Sequence, residues 1–345
     1  MQFDKKYVLD ILEEILAVDS PSGYTKEVMK KIRGYAEELG YKFDMTKKGC
    51  GIISVEGNST EKTIGLCAHV DTLGLMVRSI TNKGTLNFAK IGGIALPTLD
   101  GEYCKIYTRV GKVYTGTILS NSASSHVFKD AGTAERAEDS MYIRIDCEVR
   151  TKEDVLAKGI NVGDYVCVET KTVITENGFI KSRFLDDKLS VALLFGVLKY
   201  FKDNGLKPQN TVKVLISDYE EVGHGMSFIP SEIDELIAVD MGCIGQDLTC
   251  TEKDVSICAK DSSGPYDYEM TSKLIEIAKR EKLNYVVDLY PMYNSDVSCA
   301  LSAGNNIRGA LIGPGVHGSH GMERSHYKAV LNTMKLVTAY LIEKE

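Results

Sequence analysis

TIGLCAHVD, residues 63–71, is the stretch on which the fold turns. Its apolar residues follow one another without alternation, so the segment reads as a strand buried on both faces, the habit of a parallel sheet covered by helices. It runs straight into His69 and Asp71. Three more apolar segments end in the same way. VKVLIS leads into Asp218, Glu220 and Glu221; LIAV leads into Asp240; RGALIGPGV leads into His317 and His320. Ligands of open parallel sheets bind beyond the carboxyl ends of the strands, so groups this distant in sequence can converge at one edge. A fifth segment, SRFLDDKLSVALLFGVL, places Asp186 and Asp187 at a helix start, where carboxylates suit the free backbone N–H groups.

Working outward, Val8, Leu9, Ile11, Leu12, Ile15 and Leu16 recur at helical spacing, and a second helix is expected over Thr25–Leu39. A short strand follows around Gly51–Glu56. After residue 175 helices and strands alternate again: Asp187–Phe201 helix, Thr211–Ser217 strand, Leu236–Val239 strand, Tyr268–Glu281 helix, Arg308–Ile312 strand and Tyr327–Glu343 helix. The middle differs. Short runs rich in Val, Ile, Thr and Tyr lie between glycines, as in YCKIYTRVGKVYTGTIL and DYVCVETKTVI. The expected architecture is therefore α/β: a mostly parallel sheet flanked by helices, with a small β-barrel-like domain inserted. Residues 1–73 and 173–345 would form the catalytic domain, and residues 74–172 the insert.

Bulk properties narrow the function. The 345 residues carry a formal charge of −7, which disfavours nucleic acid and anionic membrane surfaces as partners. The N-terminus lacks the basic-then-apolar order of a signal peptide. The longest apolar helical run, Leu189–Phe201, is too short to span a bilayer. Nine scattered cysteines, an odd number with no Cys-x-x-Cys pair, read as reduced buried thiols in a cytoplasmic protein.

Each chemical group has a bland explanation when taken alone. Asp186–Asp187 could cap a helix, Glu220–Glu221 could be a solvated loop, and Asp71 or Asp240 could form a turn. His317, His320 and His326 could share a surface loop. Five such coincidences at strand ends and a helix start point instead to a metal centre. Histidines and carboxylates without cysteine suit zinc, cobalt or manganese rather than a structural thiolate zinc site. No Gly-x-Ser-x-Gly elbow or GxGxxG loop is present. Ser122, Ser124, Ser125 and His126 read as an ordinary polar loop of the insert.

At these residues the chain resembles the tetrahedral aminopeptidases of metallopeptidase family forty-two, which include deblocking and glutamyl aminopeptidases. The resemblance spans essentially the whole chain. It rests on AHVDTLGLMV (68–77), KGINVGDYV (158–166), FLDDKLSVA (184–192), DYEEVGHG (218–225), AVDMG (238–242) and HGSHGMERSH (317–326). It implies removal of N-terminal residues from peptides with two divalent ions per subunit, zinc first and cobalt or manganese as alternatives. By this resemblance Asp186 bridges the ions, His69 and Asp240 complete one site, and Glu221 and a late histidine complete the other. Glu220 would be the general base, and Asp71 would orient His69 by accepting its free ring N–H. The family pattern also has a cis peptide at the Asp–Asp step, here Asp186–Asp187. Family members form dodecameric tetrahedra through the insert, so a large homo-oligomer is expected.

The sequence departs from the family pattern in two places. Thr72 stands where an acidic residue is common, and the late motif offers His317, His320 and His326 where one histidine is usual. His320 is chosen because His-Gly-Met-Glu (320–323) best matches a histidine with a downstream glutamate. Rival readings are a dinuclear deacylase acting on small N-acyl compounds, a carbohydrate-acting hydrolase of the endoglucanase kind, and a non-catalytic peptide-binding protein. The absence of tryptophan weighs against the carbohydrate reading, and an intact Glu220 and Asp186 against the last. Tyr266, Asp267, Asn294, Ser295 and Asp296 are candidates for lining a specificity pocket.

Overall fold

The computed structural model describes residues 1–344. The chain divides into two compact units, Met1–Asp71 with Lys171–Glu345, and Thr72–Thr170. The larger unit is organised on a nine-stranded sheet. In spatial order run Lys42–Met45, Gly51–Val55, Asn210–Ser217, Ser59–His69, Glu235–Val239, Arg308–Val316, Val255–Lys260 and Tyr285–Leu289, with Gly242–Cys243 pairing onto Arg308–Val316 from the side. The four central strands, Asn210–Ser217 to Arg308–Val316, are mutually parallel. Antiparallel pairing is confined to Lys42–Met45 with Gly51–Val55, Gly51–Val55 with Asn210–Ser217, and Arg308–Val316 with Val255–Lys260. This is the expected α/β class.

The continuous apolar runs explain why these strands lie in the centre. Glu235–Val239 is buried at every position, and Ser59–His69 is buried from Thr63 onward. Leu66, Leu236 and Ile312 are at most 1% exposed, and each contributes roughly 1.5–3 kcal/mol by leaving water. The register brings the strand ends level: Ser217 stands opposite His69, and Val239 opposite Ile312.

Helix Leu185–Asp203 is buried without interruption from Leu185 to Leu198, as expected of a helix that is apolar all round. Asp186 and Asp187 carry non-helical dihedrals and are joined by a cis peptide bond, so the regular helix starts just after them, close to the expected Asp187. Behind them the buried Lys188 ammonium donates to the carbonyl oxygens of Ile15 (2.8 Å) and Val18 (2.7 Å). It thereby satisfies carbonyls that the end of helix Lys5–Leu16 leaves without helical partners.

Several elements had no clear pattern in the sequence. They are strands Val255–Lys260 and Tyr285–Leu289, helix Asp296–Ser302, and a three-stranded sheet of Val173–Ile174, Phe179–Ser182 and Glu323–His326. Strand Arg308–Val316 also runs four residues beyond the expected Ile312, since glycine and proline in GPGV do not break its pairing with Val255–Lys260 and Gly242–Cys243.

The smaller unit closes six strands into a barrel: Gly74–Ile80, Leu86–Ile91, Met141–Ile145, Val113–Ser120, Tyr103–Tyr107 and Tyr165–Val168. Leu75, Val77, Leu86, Phe88, Ile106, Ile118 and Ile143 fill it. Closure leaves no sheet edge to pair with another chain. No helix among the described residues is long and apolar enough to cross a membrane.

Candidate metal centre

Four parallel strands deliver their chemistry to one edge of the larger unit. His69 closes its strand with a side chain 1% exposed, and its Nε2 lies 3.0 Å from Asp186 Oδ1 and 3.6 Å from Glu220 Oε2. Asp240 follows Glu235–Val239, with its backbone N–H donating to Ile312 O at 2.9 Å. That crossing requires Gly313, where a Cβ would stand 1.3 Å from the Asp240 carbonyl oxygen. Asp186 and Asp187 come from the irregular start of the buried helix. His320 reaches in from a turn in which it takes a φ of 62°, with Nε2 3.6 Å from Asp186 Oδ2 and 3.5 Å from Glu221 Oε2.

The two adjacent glutamates are held by their backbones. Asp71 is fully buried, and its carboxylate accepts from Ser22 Oγ (2.5 Å) and from the N–H groups of Glu220 (3.2 Å) and Glu221 (3.3 Å). The expected contact of this carboxylate with the His69 ring is therefore only 3.7 Å long. It is the Asp71 main-chain carbonyl that stands 2.9 Å from His69 Nδ1 and fixes the ring, so that Nε2 faces Asp186 and Glu220. Asp218 also falls outside the cluster. It accepts from Gly23 N, Thr25 Oγ1 and Tyr219 N, and so clamps the loop that carries Glu220 and Glu221.

The three late histidines separate by geometry. His317 is exposed, with its backbone bridged to Arg324. His326 caps helix Tyr327–Ile342 through Nδ1, while its Nε2 meets Asn177 O. Of the three, only His320 meets the carboxylates. Glu323, three residues on, is 2% exposed and accepts from the N–H groups of Asp186 (3.0 Å) and His320 (3.1 Å). It couples the two segments, and the signal for it was the histidine-then-glutamate spacing itself. Ser122, Ser124, Ser125 and His126 lie in the Thr72–Thr170 unit.

The electrostatics of the cluster ask for a cation. Burial pushes the Glu220 and Glu221 carboxyls well above their usual range, with neighbouring acids adding to the effect. Burial and the Asp186 charge push Asp240 up to about 7. Burial pushes Asp187 well up, with Asp240 adding to it, whereas Asp186, also raised by burial, is held low by its hydrogen bond to His69 and the charges of His69 and His320. Burial would lower His69, but the Asp186 hydrogen bond and the surrounding carboxylates raise it well above its ordinary value. Glu221 Oε1 and Asp187 Oδ1 are buried without a hydrogen-bond partner. Donor atoms of His69, Asp186 and Glu221 lie within 4.8 Å of one another, as do those of His69, Asp187 and Asp240. Ligands about 2.0–2.2 Å from one ion stand roughly 3–3.5 Å apart, so the observed spacings fit a divalent metal with little movement. Asp187, read from the sequence at the helix start and in the cis step but given no ligand role, is a further member of this cluster.

A model of the M42 glutamyl aminopeptidases matches residues 49–336. The chain belongs to that family. The putative aminopeptidase YhfE of Bacillus subtilis (strain 168) is 42% identical over 334 residues, which cover 96% of each chain. Among solved structures, a TET aminopeptidase from a marine sediment archaeon of the Thaumarchaeota superposes with a TM-score of 0.89 at 20% identity, covering 98% of this chain and 97% of that one. The Pyrococcus horikoshii TET1 peptidase, which can assemble into a tetrahedron or a large octahedral shell, gives a TM-score of 0.84 at 21% identity, covering 98% and 100%. This M42 member is a peptide hydrolase of the aminopeptidase class, and its buried His/Asp/Glu groups could hold metal. Family membership favours the aminopeptidase reading over the non-catalytic one; two solved structures named as endoglucanase and peptidase/endoglucanase, at 17% and 21% identity, share the fold with TM-scores of 0.72.

A cavity of about 1000 Å³ opens over the cluster, with Asp186, Glu220, Glu221, Asp240 and His320 on its wall. Asn294, Ser295 and Asp296 line it as expected. Tyr266 and Asp267 do not. The Tyr266 hydroxyl is buried against Asp261 and Ser295, and Asp267 caps helix Tyr268–Arg280.

Proposed function

We propose that this M42 aminopeptidase holds two divalent ions, one on His69, Asp186 and Asp240 and the other on Asp186, Glu221 and His320, with Glu220 as general base. The supporting observation is the place of Asp186, whose two carboxylate oxygens face the two imidazoles, Oδ1 toward His69 at 3.0 Å and Oδ2 toward His320 at 3.6 Å. Asp187 is the weaker candidate for the bridge, because its Oδ2 already accepts from the His69 backbone N–H at 3.2 Å. Two histidines with three carboxylates suit zinc, and cobalt or manganese would accept the same donors. When bound, such ions polarise the scissile carbonyl and acidify a water.

The protein supplies what remains. Glu220 stands on the cavity wall with Oε2 3.6 Å from His69 Nε2, near enough to take a proton from the attacking water and return it to the leaving amine. Asp71 aims both glutamates by holding their N–H groups, and its carbonyl orients His69. The free cysteines suit a reducing, cytoplasmic setting, and we expect the chain to self-associate into a large homo-oligomer.

The two glutamates give the test. Glu221→Ala should release one ion and lose activity with it. Glu220→Gln should keep both ions while turnover falls by roughly 10²-fold or more, since a general base typically supplies about 10²–10⁴. Metal content by elemental analysis, read beside turnover, distinguishes these outcomes. If Glu220→Gln loses a metal while Glu221→Ala keeps two, the assignment is reversed.

A further inference from the structure

The wall of the cavity has a composition that bears on substrate choice. Among the described residues it contains no lysine and no arginine. The nearby Lys48 is not a wall residue, and its ammonium is taken up behind the wall, donating to Gly225 O (2.9 Å), Ser227 Oγ (2.9 Å) and His224 O. Among the described wall residues His224 and His320 alone can carry positive charge, and His320 is a proposed ligand, which must be neutral to bind a metal.

Negative charge is equally scarce outside the metal cluster. The single carboxylate on the wall beyond Asp186, Glu220, Glu221 and Asp240 is Asp296, which is 3% exposed. Its Oδ1 accepts from Met226 N at 2.8 Å and its Oδ2 from Ser217 Oγ, so both oxygens are committed to holding the strand end and the loop beside it.

What remains is uncharged. Met241, Cys243, Met292 and Cys299 present soft apolar surface. The wall serines are largely occupied with one another's loops. Ser262 Oγ accepts from Tyr293 N and donates to Pro291 O, Ser263 Oγ donates to Asn294 Oδ1, and Ser298 Oγ donates to the buried Asp261. A charged side chain entering this wall would lose water and find no lysine or arginine, and outside the metal cluster only a carboxylate whose oxygens are already hydrogen-bonded, which is costly. An apolar one would meet methionine and cysteine surface that adapts to its shape.

Resting on the aminopeptidase reading above, we propose that this enzyme selects peptides with an uncharged N-terminal side chain, methionine, leucine or alanine, and discriminates against glutamyl and lysyl N-termini. This departs from the glutamyl preference in the family's description, because a glutamyl site needs a fixed positive charge that this wall lacks.

The test uses metal-loaded full-length protein and five aminoacyl substrates, Ala, Met, Leu, Glu and Lys, all with one fluorogenic leaving group. The expected result is a kcat/KM for the best neutral substrate at least about ten-fold above both charged ones. Calorimetric titration with free methionine, glutamate and lysine reads the same preference without turnover and should rank methionine first. If Glu or Lys leads the panel, the specificity proposal is overturned while the aminopeptidase reading stands. If no member of the panel is cleaved, both fall together.

Discussion

At the scale of single residues, the centre depends on groups that never touch substrate. Glu323 illustrates this, because one buried carboxylate receives the backbone N–H groups of both Asp186 and His320. Hydrogen bonds to a charged group are worth about 1.5–3 kcal/mol. Glu323→Gln keeps the shape but turns an amide NH₂ toward one of the two donors, so one contact is lost. The affinity for one of the two ions should fall by roughly 10–100-fold, as found when partners behind metal ligands are changed. Competition with a metal-sensitive dye measures this directly. An unchanged affinity for both ions would make Glu323 merely a packing residue. The same scale shows what the sequence could and could not disclose. His69, Asp186, Glu220, Glu221 and Asp240 stood out because each follows an apolar run or opens a helix. The division of labour within Asp71 did not, since its carbonyl serves His69 while its carboxylate serves the glutamates. A sequence names side chains, not which of a residue's oxygens is used.

At the scale of elements, the strand ends were legible because full burial on both faces leaves an unbroken apolar run. Val255–Lys260 and Tyr285–Leu289 were not, because the sheet margin is less uniformly apolar and Tyr285–Leu289 is buried at only one position. The close approach of strand Arg308–Val316 to Asp240 carries a sharper consequence. A Cβ at Gly313 would lie 1.3 Å from Asp240 O and 2.5 Å from its carbonyl carbon, and both are backbone atoms that no rotamer change can move aside. Gly313→Ala must therefore displace the Asp240 segment or the strand. Overpacking typically costs about 1–3 kcal/mol, and here the strain falls on a proposed ligand. The variant should lose thermal stability and bind one ion more weakly than the parent, read by calorimetry and by metal content after dialysis. A variant with parental melting temperature and both ions would show that the two segments can separate without disturbing the site.

At the scale of the molecule, the insert raises the question of what covers it. Its barrel is closed, so an open sheet edge cannot drive association. Exposed apolar side chains remain. Val110 is 65% exposed, Val113 51% and Val162 62%. Two of them are carried by segments that meet: the hairpin tip bearing Val110 approaches the segment bearing Val162, with Val110 Cγ2 2.8 Å from the position a Cβ would take on Gly159 and Arg109 donating to Gly163 O at 3.3 Å. Exposed apolar side chains brought close together commonly mark a protein–protein contact. The full chain is accordingly expected to run well above 38.0 kDa in light scattering. The pair of substitutions Val110→Asp and Val162→Asp places like charges on both sides of any contact made there between copies, and should return the protein toward monomer. Both positions are exposed, so folding should survive, and the unchanged melting profile of the variant is the control. A parent that already scatters as a monomer rules out self-association. A variant that keeps the parent's mass moves the contact to another surface of the chain.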